Sequence, residues 1–71
     1  MAVLKEWRGQ GVGSAVMSCL LRRARESGHE VVILHAQTHA VRFYARHGFA
    51  AHGANFMEAG IPHVVMTRAL K

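Results

Sequence analysis

The positions of apolar and polar residues divide the chain into short segments, each with its own periodicity. Between Val12 and Ser27 the apolar residues recur every three or four positions, which is the spacing of one helix face. Gly28 follows where a left-handed C-cap residue ends a helix. The pattern therefore predicts a first amphipathic helix. We expect its buried stripe to consist of Val12, Ala15, Val16, Cys19, Leu20 and Ala24.

The next segments predict a buried strand and a second helix. Glu30–Leu34 is short, apolar and β-branched, as expected of a strand that is parallel to whatever precedes the first helix. Thr38 can cap a second helix that runs to His47, and Gly48 ends it.

Three further segments complete the predicted sheet. Ala2–Leu4 has the pattern of the end of a strand, and Phe49–His52 predicts another short strand. Gly53–Ile61 contains two glycines and predicts a loop. Pro62 can open a last strand over His63–Leu70, because the first residue of a strand need not donate to its neighbour. The element order is (β)-α-β-α-β-β, which predicts an α/β fold with two helices and a small, three-stranded mixed sheet.

Composition limits the class of protein. A chain of 71 residues forms at most one domain, here residues 1–71, and 51% hydrophobic residues exclude a disordered tail. No apolar run approaches the roughly 20 residues that span a bilayer, so we expect no membrane partner. The single cysteine, Cys19, cannot form an internal disulfide, which indicates the reducing cytoplasm, and we expect it to be a buried packing residue.

The net charge of +5 is compatible with three interpretations. The first is a solvated basic face on the first helix, formed by Arg22, Arg23 and Arg25. The others are a phosphorylated ligand and nucleic acid. The basic residues are not interleaved with aromatic residues, and no zinc-finger pattern is present, so nucleic acid is the less favoured partner.

The segment Arg8-Gly9-Gln10-Gly11-Val12-Gly13 leads directly into the first predicted helix. Alternating glycines allow close approach of the backbone to a ligand, and the N–H groups of a helix N-terminus bind phosphate. A dinucleotide-binding fold would need a third glycine where Ser14 stands, after a full strand. A nucleotide P-loop is excluded because no Gly-Lys-Ser/Thr follows.

This segment resembles the pyrophosphate loop of the GCN5-related N-acetyltransferase (GNAT) family, whose signature is Arg/Gln-x-x-Gly-x-Gly/Ala. Arg8, Gly11 and Gly13 occupy its fixed positions. The resemblance implies that acetyl-CoA is the co-substrate, and that backbone amides bind its pyrophosphate. The implied cofactor-binding residues of this loop are Arg8, Gly9, Gln10, Gly11, Val12, Gly13 and Ser14.

A second segment, residues 37–49, resembles the family pattern Asn-x-x-Ala-x-x-x-Tyr-x-x-x-Gly-Phe. Gln37 takes the place of the asparagine, and Tyr44 is in register with the tyrosine. The resemblance implies that Gln37 contacts the cofactor and that Tyr44 protonates the thiolate of coenzyme A. A thiolate leaving group needs a proton, which a phenol can supply. Taken alone, Tyr44 also fits an ordinary core position on a helix face.

A third segment, Glu58-Ala59-Gly60-Ile61-Pro62-His63, is similar to one found before the last strand in a bacterial subfamily of these enzymes. Glu58 and His63 are candidate substrate residues, because they could reach toward an acceptor amine and an imidazole can pass a proton. The alternative is a tight loop with a solvated glutamate and a structural histidine. The six histidines show no metal-ligand spacing, so we expect no metal.

The resemblance covers only the C-terminal half of the family's domain. It implies the acetyl-CoA-binding part of an N-acetyltransferase whose acceptor amine is not identified. Only the last residues of the strand that would neighbour residues 31–34 are present in the sequence. The apolar edge left unpaired can then pair with another chain. We therefore expect a homo-oligomer or a separate N-terminal half as partner. The alternatives are a non-catalytic, self-associating α/β module and a basic nucleic-acid-binding module.

Overall fold

The computed structural model describes residues 1–4 and 13–70 and confirms the predicted order of elements. A short strand precedes the first helix, and the second helix is entered through one turn of 3₁₀-helix at Thr38–Ala40. The remaining elements are β1 (Ala2–Leu4), α1 (Ser14–Glu26), β2 (Val31–Gln37), α2 (Val41–Arg46), β3 (Ala50–Glu58) and β4 (Ile61–Ala69).

The four strands form one mixed sheet in the order β1-β2-β4-β3. β1 is parallel to β2, as predicted, and the other two pairs are antiparallel. The first strand is thus a fourth member of the sheet, where the sequence indicated three. The described pairing of β1 with β2 covers Ala2–Leu4 and Val32–Leu34, and β2 pairs with β4 along its whole length.

The C-terminus of α1 confirms the predicted role of Gly28. Its φ of 86° lies in the left-handed region that favours glycine. Its N–H donates to the Arg25 carbonyl at 3.0 Å, and the His29 N–H donates to the Ala24 carbonyl at 3.1 Å. These two hydrogen bonds form a Schellman motif, which satisfies the last carbonyls of the helix.

The predicted buried stripe of α1 is wrong at Ala15, Val16 and Cys19, while Leu20 is half-buried and Val12 lies outside the described residues. The residues that pack into the core are Met17, Leu21 and Ala24, and only the last of these was predicted. Val16 is 54% exposed, and Cys19 is also exposed instead of buried. α1 carries apolar residues around more than half of its circumference, so periodicity alone could not select the face that meets the sheet.

The predicted loop at Gly53–Ile61 is also wrong, because β3 runs through most of it. Gly53 has a φ of 79° and lies at a shift in register between His52 and Phe56, where the strand bulges and then continues. The hairpin turn consists of Ala59 and Gly60 alone, both with positive φ, which is the backbone of a two-residue type I′ turn. A glycine inside a strand can mark a bulge as readily as a loop.

Two smaller boundaries also differ from expectation. β2 extends three residues past Leu34, so His35 belongs to the strand. The expected cap at Thr38 is not formed: α2 begins at Val41, after the 3₁₀ turn, and its N-cap residue makes no side-chain hydrogen bond. Gly48 ends α2 with a φ of 87°, as predicted.

Both helices pack against one face of the sheet. The core on that face joins α1 and α2 to alternate residues of β2 and β4, of which Val32, Leu34 and Met66 are almost fully buried. Neither described helix packs on the opposite side, which we call the open face, although Gln37 and His63 at its hairpin end are buried. In register across the strands it presents the rows Val3–Ile33–Thr67–Ala50, His35–Val65–His52 and Gln37–His63–Phe56.

Candidate active site

The beginning of α1 is the described part of the predicted cofactor loop. Gly13 is the N-cap residue, with extended backbone angles, and Ser14 is the first helical residue. Arg8, Gly9, Gln10, Gly11 and Val12 lie outside the described residues. No side chain caps the helix in the described structure, and its first turn contains no acidic residue. This end of α1 therefore presents positive potential, with no anion among the described residues of its first turn.

An imidazole lies beside this helix end. His47 Nε2 is 3.1 Å from Ser14 Oγ, so it connects the start of α1 to the residue after α2. The carbonyl of His47 accepts a hydrogen bond of 2.7 Å from Arg68 Nη1. The sequence offered no signal for this contact, because 33 residues separate Ser14 from His47.

Tyr44 lies in the core between α2 and the sheet. Its side chain is 4% exposed, and its ring meets Phe43 and Phe49 edge to face, with centroids 5.3 and 5.9 Å away. Tyr44 therefore occupies the core position that the sequence pattern allowed for it. Such rings prefer this T-shaped contact, which holds the phenol in one orientation.

Gln37 is the last residue of β2 and is buried, with 7% of its surface exposed. It is directly opposite His63 in the β2–β4 pairing and so belongs to the open face. Tyr44 packs on the helix side of the same strand. The two residues of the second motif therefore lie on different sides of the sheet.

The third motif brings Glu58 and His63 together through the hairpin. Glu58 Oε2 is 3.6 Å from His63 Nε2, across the end of the β3–β4 pair. The His63 ring is 2% exposed, and its Nδ1 donates to the Ile61 carbonyl at 2.7 Å. Since that bond places one proton on Nδ1, His63 Nε2 bears a proton only when the ring is an imidazolium.

A third side chain, His35 of β2, completes this cluster. Its Nδ1 donates to Glu58 Oε1 at 3.0 Å, so the carboxylate lies between two imidazoles on two different strands. The Phe56 ring meets His35 edge to face at 5.1 Å and stacks on His63 at 6.1 Å. The sequence interpretation missed His35 because it ended the strand at Leu34. The alternation of the strand, continued by one residue, would have placed His35 on the face of Ile33.

The described residues contain no group of three His, Cys, Asp or Glu side chains arranged to hold a metal ion. Neither described helix has the length and apolar character needed to cross a membrane. The chemistry that the site offers is that of a helix N-terminus, a phenol, imidazoles and one carboxylate.

Comparison with known proteins places these features in a family. The model of the acetyltransferase (GNAT) domain matches residues 1–70. An uncharacterized N-acetyltransferase of Bacillus subtilis, YjcF, is 42% identical over 69 residues, which are 96% of this chain and 49% of YjcF.

Solved structures agree with that match. The crystal structure of an acyl-CoA N-acyltransferase from Pseudomonas aeruginosa has a TM-score of 0.76 at 40% identity, over 87% of this chain and 42% of that one. A GCN5-related N-acetyltransferase structure from Rhodopseudomonas palustris has the same TM-score, 0.76, at 19% identity over 96% of this chain and 48% of that one, and shows the fold alone.

The chain spans about half the length of the relatives it matches. The match is nevertheless continuous from β1 to the end of β4, and the expected family is confirmed. The chain belongs to the GNAT acetyltransferase domain family.

Proposed function

We propose that this chain binds acetyl-CoA and forms part of an N-acetyltransferase that transfers the acetyl group to an amine. The observation that carries the proposal is the start of α1. Gly13 and Ser14 open a helix that has neither a side-chain cap nor an acidic residue in its first turn. Unpaired N–H groups and the positive end of the helix dipole favour a diphosphate at this position. GNAT acetyltransferases in general use acetyl-CoA, whose pyrophosphate supplies that anion.

In this proposal the loop residues Arg8, Gly9, Gln10, Gly11 and Val12 bind the pyrophosphate together with Gly13 and Ser14. The His47 imidazole beside Ser14 gives a further donor near the same anion. Gln37, at the C-terminal end of β2, is the proposed cofactor contact from this strand.

Tyr44 is the proposed acid for the leaving thiolate. Its ring is held on two sides by Phe43 and Phe49, which limits its motion at the moment of proton transfer. Glu58 and His63 form the proposed acceptor side, where the carboxylate attracts a cationic amine. The metal-free mechanism is direct attack of the amine on the thioester.

The remaining acceptor surface comes from a partner in this proposal. That partner is a separate N-terminal half or a second copy of the chain, since the open face is uncovered in the described structure. We also keep the cytoplasm as the proposed location, because the Cys19 thiol is exposed and a reducing compartment preserves it.

Titration of the ¹⁵N-labelled chain with coenzyme A tests the proposal. The amide resonances of Gly13 and Ser14 should move, and those at the far end of α1 should not. Pantetheine is the matched control, because it has the thiol arm without the pyrophosphate and should leave these two amides in place. Unmoved amides at millimolar coenzyme A would overturn the proposal.

The uncovered open face favours a second candidate, a non-catalytic module that folds by self-association. Its unfolding midpoint would rise with protein concentration and would not respond to coenzyme A. The same titration, repeated at two protein concentrations, separates the two candidates.

A further inference from the structure

The cluster of His35, Glu58 and His63 has a feature that acceptor binding alone does not use. Glu58 accepts a hydrogen bond from His35 Nδ1, and a carboxylate can only accept, so the proton of the neutral ring is on Nδ1. The lone pair is then on Nε2. Within the described chain no group lies at hydrogen-bond distance from that atom, and the side chain is 48% exposed.

The orientation of His35 is defined from two directions. Glu58 holds Nδ1, and the Phe56 ring meets the imidazole at 80° with centroids 5.1 Å apart. A carboxylate that fixes the tautomer and orientation of a histidine leaves the other nitrogen ready to take a proton. This geometry is typical of a general base, in which the carboxylate positions the ring and does not itself take the proton.

The place of His35 in the sheet fits this role. It lies near the C-terminal end of β2, two residues before Gln37. His35 is on the open face, and Tyr44 packs on the opposite, helix side of the same strand. The proposed function puts the acetyl group near Gln37 at the end of β2, so the phenol would act on it from the helix side and the imidazole from the open face.

We infer that His35 is the general base that takes a proton from the acceptor ammonium, and that Glu58 is its positioning residue. This inference rests on the proposed function. It revises the acceptor side of that proposal, because Glu58 then acts through His35. His63 stays buried beside the carboxylate, with its Nδ1 donating to the Ile61 carbonyl.

The proton and electron balance of the reaction is complete with these residues. The acceptor ammonium gives one proton to His35 Nε2, and the freed nitrogen forms a bond to the thioester carbonyl carbon. The carbon–sulfur bond breaks, and the sulfur takes a proton from the Tyr44 hydroxyl. The new amide nitrogen loses its second proton, which restores the hydroxyl, and His35 returns its proton to water. One ammonium and one thioester give one amide, one thiol and one proton.

The test uses His35→Asn in the full chain, because the asparagine amide can keep the donor to Glu58 while Nε2 is lost. Acetyl-CoA consumption is measured with a panel of small primary amines at pH 7.0 and pH 9.5. At pH 7.0 we expect turnover to fall about 100-fold, the usual range for loss of a general base. At pH 9.5 more of the amine is already neutral, and the loss should be much smaller.

His52→Asn is the matched control. His52 is on the same face, across Val65 from His35, and hydrogen bonds to Thr67 Oγ1 at 2.7 Å, outside the cluster. We expect His52→Asn to consume acetyl-CoA at the same rate as the unchanged chain. The titratable groups that face His35 are Glu58 on β3 and His63 on β4, with His52 beyond them. Any change in turnover caused by His52→Asn therefore measures the effect of losing a histidine elsewhere on the same face.

A second readout does not depend on turnover. Imidazole ¹⁵N spectra should show His35 as the Nδ1–H tautomer, and Glu58→Gln should shift the population toward Nε2–H without changing His52. An Nε2–H tautomer in the unchanged chain would overturn the inference. So would equal turnover of His35→Asn and the unchanged chain at pH 7.0, or acetyl-CoA binding without transfer at either pH. Absence of acetyl-CoA binding would instead overturn the proposed function, and the base role with it.

Discussion

At the scale of single residues, positive backbone angles and the half-buried Arg68 side chain limit which substitutions the fold accepts. Gly48 has a φ of 87°, and a Cβ on it would lie 3.1 Å from Arg68 Nε. Arg68 cannot move away freely, because its Nη1 donates to the His47 carbonyl. Gly28 has almost the same φ, 86°, but nothing lies within 4 Å of its added Cβ. Comparing substitutions at the two glycines therefore separates the cost of backbone strain from the cost of steric contact.

We expect Gly48→Ala to lower the free energy of unfolding by more than Gly28→Ala does. Gly28→Ala should cost about 1 kcal/mol, the usual price of a left-handed non-glycine residue. Gly48→Ala should cost about 1 kcal/mol more, because Arg68 must also shift. Urea unfolding measures both. Equal losses would show that the Arg68 contact relaxes freely.

The start of α1 gives a prediction about charge at a single residue. Ser14→Glu puts a carboxylate in the first turn, where it stabilises the helix dipole but repels a diphosphate. We expect affinity for coenzyme A to fall about tenfold, or 1.4 kcal/mol. Ser18→Glu adds the same charge one turn later, on the exposed surface, and should change affinity much less. Calorimetry measures both, and equal affinities would contradict a pyrophosphate site at this helix end.

At the scale of elements, the β3–β4 hairpin depends on two local backbone features. Gly53 allows the bulge that continues β3, and the turn requires positive φ at both of its residues. Gly60 meets that requirement at no steric cost. Ala59 meets it with a φ of 52°, although alanine disfavours the left-handed region. The turn is therefore strained at one of its two positions.

We expect Ala59→Gly to raise the free energy of unfolding by about 0.5 kcal/mol, since relief of left-handed strain exceeds the added chain entropy. Ala51→Gly, in the extended part of β3, should instead lower it by about 0.5–1 kcal/mol. Thermal and urea unfolding of the two variants give the comparison. A destabilising Ala59→Gly would mean that the turn is not under strain.

At the scale of the whole molecule, the helices pack on only one of the two sides of the sheet. Both helices pack on one side, and in the described residues the other side keeps Val3 70% exposed beside Ile33. α1 adds a second exposed apolar residue, Val16. Exposed apolar surface of this kind marks a contact, and the relatives, of which the chain spans about half, are long enough to supply it.

We expect the chain to self-associate through the open face when no other partner is present. Val3→Lys should lower the association constant at least tenfold, because it replaces the most exposed apolar side chain of that face, at the β1 edge of the sheet, with a charge. Met57→Lys is the control, since Met57 is similarly exposed, at 66%, but its pairing with Pro62 puts it on the helix side. Sedimentation velocity at several concentrations measures the association. A folded monomer at high concentration would refute it.

The sequence by itself determined the order of elements, the parallel pairing of the first two strands and the family. Two helix ends, at Gly28 and Gly48, were predictable because glycine alone adopts their backbone angles without strain. The motif segments that indicated the family were likewise recognisable, because each consists of residues close together in the chain. Local conformational preference decides such features before any long-range contact forms.

Only the tertiary structure decided which apolar residues are buried and which polar residues meet. Met17 and Leu21 replaced Val16 and Cys19 because the position of the sheet selects one face of a helix that is apolar on two. The bulge at Gly53 turned a predicted loop into a strand, because pairing with β4 outweighed the glycine's own preference. His35, Glu58 and His63 come from three strands, and the side chains that surround a site depend on strand register, which no local pattern contains.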